Sequence, residues 1–216
     1  MHEFSYKVVP HAVNVDGIYY ENLLNVDGDS GTWVGPTGDW QGKEGHKEHI
    51  LETVKNFRTV VQAGGAFGLY PLLLSEMFER VYTFEPYPVC FHCLVHNCPK
   101  ENVVKINAAL GEKHQMIKMK INCMGNFGMN TVDSDAKPED TFVPMLMLDD
   151  FEFEHLDLLM LDVERYECGI ITGGMKTIEK HRPVIFAENG AIDNLIERFG
   201  YRRYTNSAAD TVYVAD

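Results

Sequence analysis

The stretch VVQAGGAFGLYPLLLSEMFERVYTFEPYP, from Val60 to Pro88, has the pattern of a strand, a turn, a helix and a second strand in one uninterrupted run. A β-branched run at 59–62 predicts the first strand, and the glycine-rich turn follows it directly. Residues 69–78 have helical apolar spacing, and 81–84 predicts the second strand. The stretch therefore predicts a βαβ unit.

Gly64, Gly65 and Gly68 lie in the turn, where a sharp bend and a close ligand favour residues without a Cβ. Glu85 ends the second strand about 20 residues after Gly64, the spacing at which a carboxylate of a Rossmann-like unit accepts ribose hydroxyls. The unit therefore predicts a nucleotide-type ligand at its loop. A turn that only packs a helix is the alternative, and GGAFG lacks the full G-x-G-x-x-G spacing of dinucleotide sites.

Four segments resemble the FkbM-type methyltransferases, which are class I enzymes that use S-adenosylmethionine. QAGGAFG (62–68) resembles the family's D-x-G-A-N-x-G loop, FEPYP (84–88) its FEPxP box, NVVKINAALGE (102–112) its third-strand segment and LDLLMLDVERYE (156–167) its K-I-D-V-E-G-x-E signature. The resemblance covers about residues 60–188. It implies O-methylation of a small molecule or a glycan hydroxyl.

The rest of the chain fits one α/β domain with a Rossmann-like class I methyltransferase fold, a mostly parallel seven-stranded sheet with helices on both faces. The further predicted elements are core strands at 158–161 and 184–187, helices at 46–56, 170–180 and 193–199, and a C-terminal antiparallel hairpin of 201–204 with 211–214. Two runs, 117–123 and 142–148, are expected to pair outside the central sheet.

The single domain, 1–216, is expected to divide into an N-terminal part, 1–45, and a Rossmann-like core, 46–216. The N-terminal part contains predicted short strands at 6–9 and 17–20 and a glycine-rich loop at 28–42 that carries Trp33 and Trp40. That loop is a candidate lid, with an ordinary surface loop as the alternative.

In an open parallel sheet, the ligand binds beyond the carboxyl ends of the strands, where the strand order reverses. We expect this point between the first and fourth strands. This placement and the resemblance together imply a cofactor site that includes Gln62, Gly64, Gly65, Phe67, Gly68, Glu85, Pro86, Tyr87, Asn107, Ala108, Ala109 and Asp162. Phe67 and Tyr87 are equally well explained as core or loop aromatics.

Asp162 and Glu164 are the catalytic candidates, because methyl transfer requires alignment and a deprotonated acceptor. The alternative role of either acid is that of a hydrogen-bond partner of the cofactor. A metal is an alternative source of deprotonation, and the oxygen ligands of Asp162, Glu188 and Asn189 would suit Mg²⁺. Three histidines are further possible bases, with a surface or helix-capping role as the alternative for each: His46, His49 and His181.

Three positions depart from the family pattern, namely Gln62 for the usual acid, Met160 for the usual lysine and Arg165 for the usual glycine. These departures leave open a catalytically degenerate protein of the same fold that binds the cofactor in a regulatory role. A dinucleotide-dependent oxidoreductase is a further alternative, which the incomplete glycine fingerprint and the predicted hairpin disfavour.

The formal net charge of −13, from 32 acidic and 19 basic residues, argues against a nucleic-acid partner. The start MHEFSYKVVPHAV lacks an apolar segment and no run of the chain is long enough to span a bilayer, so we expect a cytoplasmic protein without a membrane partner. The five cysteines suit reduced thiols. A zinc site with Cys90, Cys93 and His96 is the alternative to thiols that pack against the sheet.

Overall fold

A computed structural model of the protein describes residues 13–15, 18–20, 46–120, 131–132, 141–163, 165–188, 192–206 and 210–216. The strands are β1 (Val13–Val15), β2 (Ile18–Tyr20), β3 (Thr59–Ala63), β4 (Arg80–Phe84), β5 (Val103–Ile106), β6 (Ala109–Leu110), β7 (Gln115–Lys120), β8 (Thr131–Val132), β9 (Thr141–Leu146), β10 (Leu158–Leu161), β11 (Val184–Glu188), β12 (Tyr201–Asn206) and β13 (Asp210–Ala215). The helices are α1 (His46–Thr53), α2 (Leu69–Ser75), α3 (Pro88–Asn97), α4 (Glu167–Gly173), α5 (Met175–His181) and α6 (Asp193–Ile196), with 3₁₀ turns at Leu148–Asp150 and Glu197–Phe199.

The central sheet has seven strands in the order β12, β13, β11, β10, β3, β4, β5. Neighbours from β11 to β5 run parallel, whereas β13 is antiparallel to both β11 and β12. All four residues of β10 are buried, as expected for a strand covered on both faces. The predicted parallel sheet and terminal hairpin are confirmed, and the strand order reverses between β3 and β10 as expected.

Side chains of the central sheet alternate between two hydrophobic clusters, one on each face. In β10, Leu161 belongs to the cluster that also contains Ile178 of α5, whereas Met160 belongs to the cluster that contains Leu74 of α2. Burial of each such side chain contributes about 1.5–3 kcal/mol. Helices therefore cover both faces of the sheet, and the loops lie along the edge where the strands end.

A second sheet, in the order β6, β9, β7, β8, lies outside the central one. Its strands β7 and β9 are antiparallel, which confirms the expected pairing of the two extended runs after Glu112. Ile117 and Val143 from these strands pack in a third hydrophobic cluster that includes Tyr87 and Cys90. The small sheet therefore covers the start of α3.

The helix predicted at 170–180 is two helices, α4 and α5, which meet at Gly174. A Cβ on Gly173 would lie 1.9 Å from the carbonyl oxygen of Gly111, so the last turn of α4 packs directly on the backbone after β6. Two adjacent glycines also lower helix propensity, which helps the break. The helix predicted at 69–78 ends earlier as well, at Ser75.

Only part of the N-terminal prediction falls on described residues. Ile18–Tyr20 forms a strand as expected, but its antiparallel partner is Val13–Val15. The strand predicted at 6–9 and the candidate lid at 28–42 lie outside the described residues. Within the described part of the chain, the helices are too short or too polar to cross a membrane.

Candidate functional site

The loop between β3 and α2 lies where β3, β4 and β10 end. The amides of Gly64 and Gly65 donate to the carbonyl oxygen of Phe84, at 3.0 and 2.9 Å. Gly64 has a φ of +89°, and a Cβ at this residue would lie 1.9 Å from the carbonyl oxygen of Asp162. This close approach requires glycine whether or not a ligand binds, and it places the loop beside Asp162.

Glu85 follows β4 and is 6% exposed. Its Oε2 accepts a hydrogen bond from the Ala66 amide at 2.7 Å, and its Oε1 accepts one from the Tyr87 amide at 2.8 Å. The first bond supports a residue with a positive φ of 43°. The carboxylate therefore holds the loop, and contact of Glu85 with a ligand stays a prediction.

Gln62 is 1% exposed and takes part in the internal structure of the loop. Its Nε2 donates to the carbonyl oxygen of Gly64 at 2.5 Å, and its Oε1 accepts from the Thr83 hydroxyl at 2.6 Å. An ionised acid at this position could accept from Thr83 but could not donate to Gly64. The amide therefore suits the loop of this chain, and contact of Gln62 with a cofactor stays a prediction.

Gln62→Glu is expected to destabilise the protein by about 1–3 kcal/mol at pH 7, because it removes a buried donor and places a carboxylate beside a carbonyl oxygen. The loss should shrink as the pH falls, since a protonated Glu can donate again and burial favours the neutral form. Urea unfolding at pH 7 and pH 5 measures both effects. Gln115→Glu, at a half-buried site, is the matched control and should change stability by less than about 0.5 kcal/mol. Equal stability of the Gln62 variant and the parent would contradict this account.

Asn107 fixes the FEPxP segment relative to β5. Its Nδ2 donates to the carbonyl oxygens of Glu85 and Pro86, at 2.8 and 3.0 Å. Ala108 and Ala109 follow and are buried. The structure therefore brings these residues to the same sheet edge as Glu85, where the sequence predicts the base of the cofactor.

Phe67 and Tyr87 both take part in packing. Tyr87 is 8% exposed and belongs to the third cluster, and the half-buried Phe67 packs against that cluster. The carbonyl oxygen of Phe67 accepts a hydrogen bond from Asn97 Nδ2 of α3 at 2.7 Å. These contacts support the core interpretation of the two rings, and cofactor contact stays a prediction for both.

Asp162 lies one residue beyond β10, and its amide donates to the carbonyl oxygen of Ala63 at 3.1 Å. A second acid that the sequence did not single out, Glu167, is 1% exposed in the first turn of α4. Burial raises the pKa of Glu167, and the nearby charge of Asp162 raises it further. Glu164 lies outside the described residues, so its catalytic role stays a prediction.

His46 is part of a buried hydrogen-bonded chain that joins three segments. Its Nδ1 lies 3.1 Å from the Tyr70 hydroxyl, and its Nε2 contacts Oδ2 of Asp210. His46 is 2% and Asp210 6% exposed. Burial raises the pKa of the Tyr70 hydroxyl, and the charges of Asp162 and Asp210 add to the effect. Sequence reasoning missed Tyr70 and Asp210, since no local spacing relates residues so far apart in the chain.

The other two candidate histidines lie elsewhere. His181 ends α5 and lines a cleft with Arg58 and Asp157 at the opposite edge of the sheet, where β3 and β10 begin. The Nδ1 of His49, in α1, is buried without a hydrogen-bond partner among the described residues. Of the three, the structure thus brings His46 into a hydrogen-bonded chain with Tyr70, whose pKa the nearby charge of Asp162 helps to raise.

The structure describes only some of the residues that were predicted to bind a metal ion. The side chain of Glu188 and all of Asn189 lie outside the described residues. Elsewhere in the described chain, no group of three or more His, Cys, Asp or Glu side chains could hold a metal ion, and this is true of Cys90, Cys93 and His96 as well. Cys90, Cys93 and Cys98 are buried, in agreement with thiols that pack in the core.

The comparison with protein families matches residues 75–203, more than half of the chain, to the model described as the methyltransferase FkbM domain. The chain belongs to the FkbM methyltransferase family. The match includes the FEPxP box and the fourth-strand signature, so the family expected from these motifs is confirmed. No curated protein matches the chain.

Several solved structures are similar. The FkbM methyltransferase from Methylobacillus flagellatus KT has 16% identity and a TM-score of 0.51, and the match covers 77% of this chain and 50% of that chain. The present chain thus spans half the length of that protein, and the similarity shows the fold. The ribosomal protein L11 methylase from Lactobacillus delbrueckii subsp. bulgaricus also matches, at 7% identity and a TM-score of 0.49, over 82% of this chain and 79% of its own. A SAM-dependent methyltransferase from Aquifex aeolicus matches at 14% identity and a TM-score of 0.44, over 78% and 88%.

Proposed function

We propose that the protein transfers a methyl group from S-adenosylmethionine to a hydroxyl oxygen of a small molecule or a glycan. Family membership supports methyl transfer. The observation that carries the cofactor assignment is the Glu85 carboxylate, which lies beside the glycine loop, bonded to Ala66 and Tyr87, beyond the end of β4. This is the position at which a nucleoside ligand binds in Rossmann-like folds.

The chemistry of the edge fits this cofactor. Glu85 offers acceptor lone pairs for two ribose hydroxyls, and bonds to an ionised acceptor are stronger than neutral ones. Asn107 to Ala109 would line the base, and Asp162 offers a carboxylate to the methionine ammonium group. When bound, S-adenosylmethionine supplies an electrophilic methyl group on a sulfonium. The residues of the chain must then align the acceptor and remove its proton.

A second candidate is a protein of the same fold that binds the cofactor without catalysis. It is favoured by the three departures from the family pattern, since Gln62 is bonded within the loop, Met160 is 3% exposed in the core, and Arg165 has a φ of +76° where glycine is usual. Cofactor binding without turnover on any acceptor would support it. The Mg²⁺ alternative, the exclusion of nucleic acid and the cytoplasmic location stay predictions.

A thermal-shift comparison tests the cofactor assignment. S-adenosylhomocysteine and S-adenosylmethionine at 100 times their dissociation constants should add about 2.7 kcal/mol. For a chain of this size we expect a rise in Tm of about 5–10 °C. NAD⁺ and NADP⁺ are the controls, each with and without Mg²⁺, and should give no shift. Stabilisation by a dinucleotide alone would overturn the proposal.

A further inference from the structure

We propose that Tyr70, His46 and Asp210 form a proton relay that deprotonates the acceptor hydroxyl. The inference rests on the proposed function, and it assigns the base to groups other than Asp162 and Glu164. In this assignment Tyr70 contacts the acceptor, His46 stores the proton, and Asp210 positions His46.

The relay lies at the edge of the sheet where the cofactor is expected. Tyr70 is in the first turn of α2, two residues after Gly68 of the glycine loop. Asp210 is the strand partner of Glu188 at the carboxyl end of β11. β10 pairs with β3 and β11 up to Leu161, so Asp162 lies between these two points.

The hydrogen bonds define the direction in which a proton moves. Because His46 Nε2 contacts a carboxylate, that nitrogen carries the hydrogen and donates it to Asp210. In the relay His46 is neutral, so its other nitrogen, Nδ1, accepts from the Tyr70 hydroxyl, whose oxygen lies 3.1 Å away. A neutral imidazole in this tautomer can take up a proton, and the buried carboxylate beside it stabilises the resulting charge.

In the proposed step the acceptor hydroxyl gains a methyl group and loses its proton. The acceptor oxygen forms a bond to the methyl carbon while the S–CH₃ bond breaks. The electron pair of the S–CH₃ bond stays on sulfur. Tyr70 takes the acceptor's proton on its oxygen and passes its own proton to His46 Nδ1. His46 becomes an imidazolium paired with Asp210, and Tyr70 stays neutral, which is the form that its raised pKa favours.

The first test uses the protein without cofactor. In ¹⁵N-labelled protein at neutral pH, His46 should show a protonated Nε2 and an unprotonated Nδ1 that accepts a hydrogen bond. Tyr70→Phe should shift the Nδ1 resonance. Tyr204→Phe, which removes an exposed hydroxyl that donates to Glu52 near the other end of α1, should leave it unchanged. A protonated Nδ1 in the parent protein would overturn the relay.

The second test compares two kinds of methyl acceptor. Iodide is a nucleophile without a proton, whereas catechol and methyl β-D-glucopyranoside must lose one. Tyr70→Phe and His46→Gln should keep the iodide rate within about twofold and lower the hydroxyl rate by about 100-fold or more, the range of general base catalysis. Thermal melting verifies that both variants are folded, and the conservative Tyr70→Phe keeps the packing of the ring.

The outcomes separate the relay from the function on which it rests. Equal losses with iodide and with hydroxyl acceptors would mean that the hydrogen bonds of Tyr70, His46 and Asp210 only stabilise the structure. This result would overturn the relay. Iodide turnover in the parent protein without turnover of either hydroxyl probe would also count against the relay, while methyl transfer would stand. Absence of S-adenosylhomocysteine binding would overturn the proposed function itself.

Discussion

Glu85→Ala is expected to weaken binding of S-adenosylhomocysteine about 10- to 100-fold in titration calorimetry. The carboxylate is proposed to accept both ribose hydroxyls, and charge-assisted hydrogen bonds of this kind contribute about 1.5–3 kcal/mol. Tenfold in affinity corresponds to about 1.4 kcal/mol. The variant also loses the bond to the Ala66 amide, so part of the effect comes from a loop that is less well held.

Asp157→Ala is the matched control for this variant. Asp157 is a carboxylate with a largely buried side chain that accepts bonds from the amides of Arg58 and Thr59, at 3.1 and 3.2 Å, at the opposite edge of the sheet. Its removal should lower the stability of the protein, in part through the lost ion pair with Arg58, but leave the affinity for S-adenosylhomocysteine unchanged. Unchanged affinity of the Glu85 variant, or an equal loss in both, would contradict the placement of the ribose.

Gly64→Ala is expected to lower the free energy of unfolding by about 2–5 kcal/mol. A left-handed backbone costs a non-glycine residue about 1–2 kcal/mol, and an added methyl group in a packed site costs a further 1–3 kcal/mol. Here the methyl carbon would lie 1.9 Å from the Asp162 carbonyl oxygen, so the loop and the end of β10 must move apart. Guanidinium unfolding followed by circular dichroism measures the loss.

Gly200→Ala separates the two contributions. Gly200 has a φ of +70°, but the nearest atom to a Cβ there is Arg182 Nη2 at 3.5 Å, which is ordinary contact. This variant should therefore lose only the conformational part, about 1–2 kcal/mol. If Gly64→Ala cost no more than Gly200→Ala, the close approach of the glycine loop to β10 would be wrong.

The central sheet could be predicted because the pattern of each strand is contained in a short stretch of sequence. The run from Val60 to Pro88 contains a complete βαβ unit, and the all-apolar strand at 158–161 has the pattern of a strand buried on both faces. The end of helix α4 could not be predicted in this way. Nothing in the local pattern shows that Gly173 packs on the Gly111 carbonyl oxygen, since this contact depends on the position of a distant strand.

A site residue could be predicted where a sequence motif fixes both the residue type and its place at the end of a strand. Glu85 and Asn107 lie at the expected sheet edge for this reason. The use of Gln62 within the loop was not predictable, because it depends on Thr83 of the neighbouring strand. The hydrogen-bond partners of His46 could not be predicted either, since helix α2 and strand β13 approach His46 only after folding.

The placement of the cofactor can be seen in a crystal structure of the complex with S-adenosylhomocysteine. We expect both ribose hydroxyls within hydrogen-bond distance of Glu85 and the sulfur on the side of Asp162 and Tyr70. Ligand density at another place, such as the cleft between His181 and Arg58, would contradict this placement.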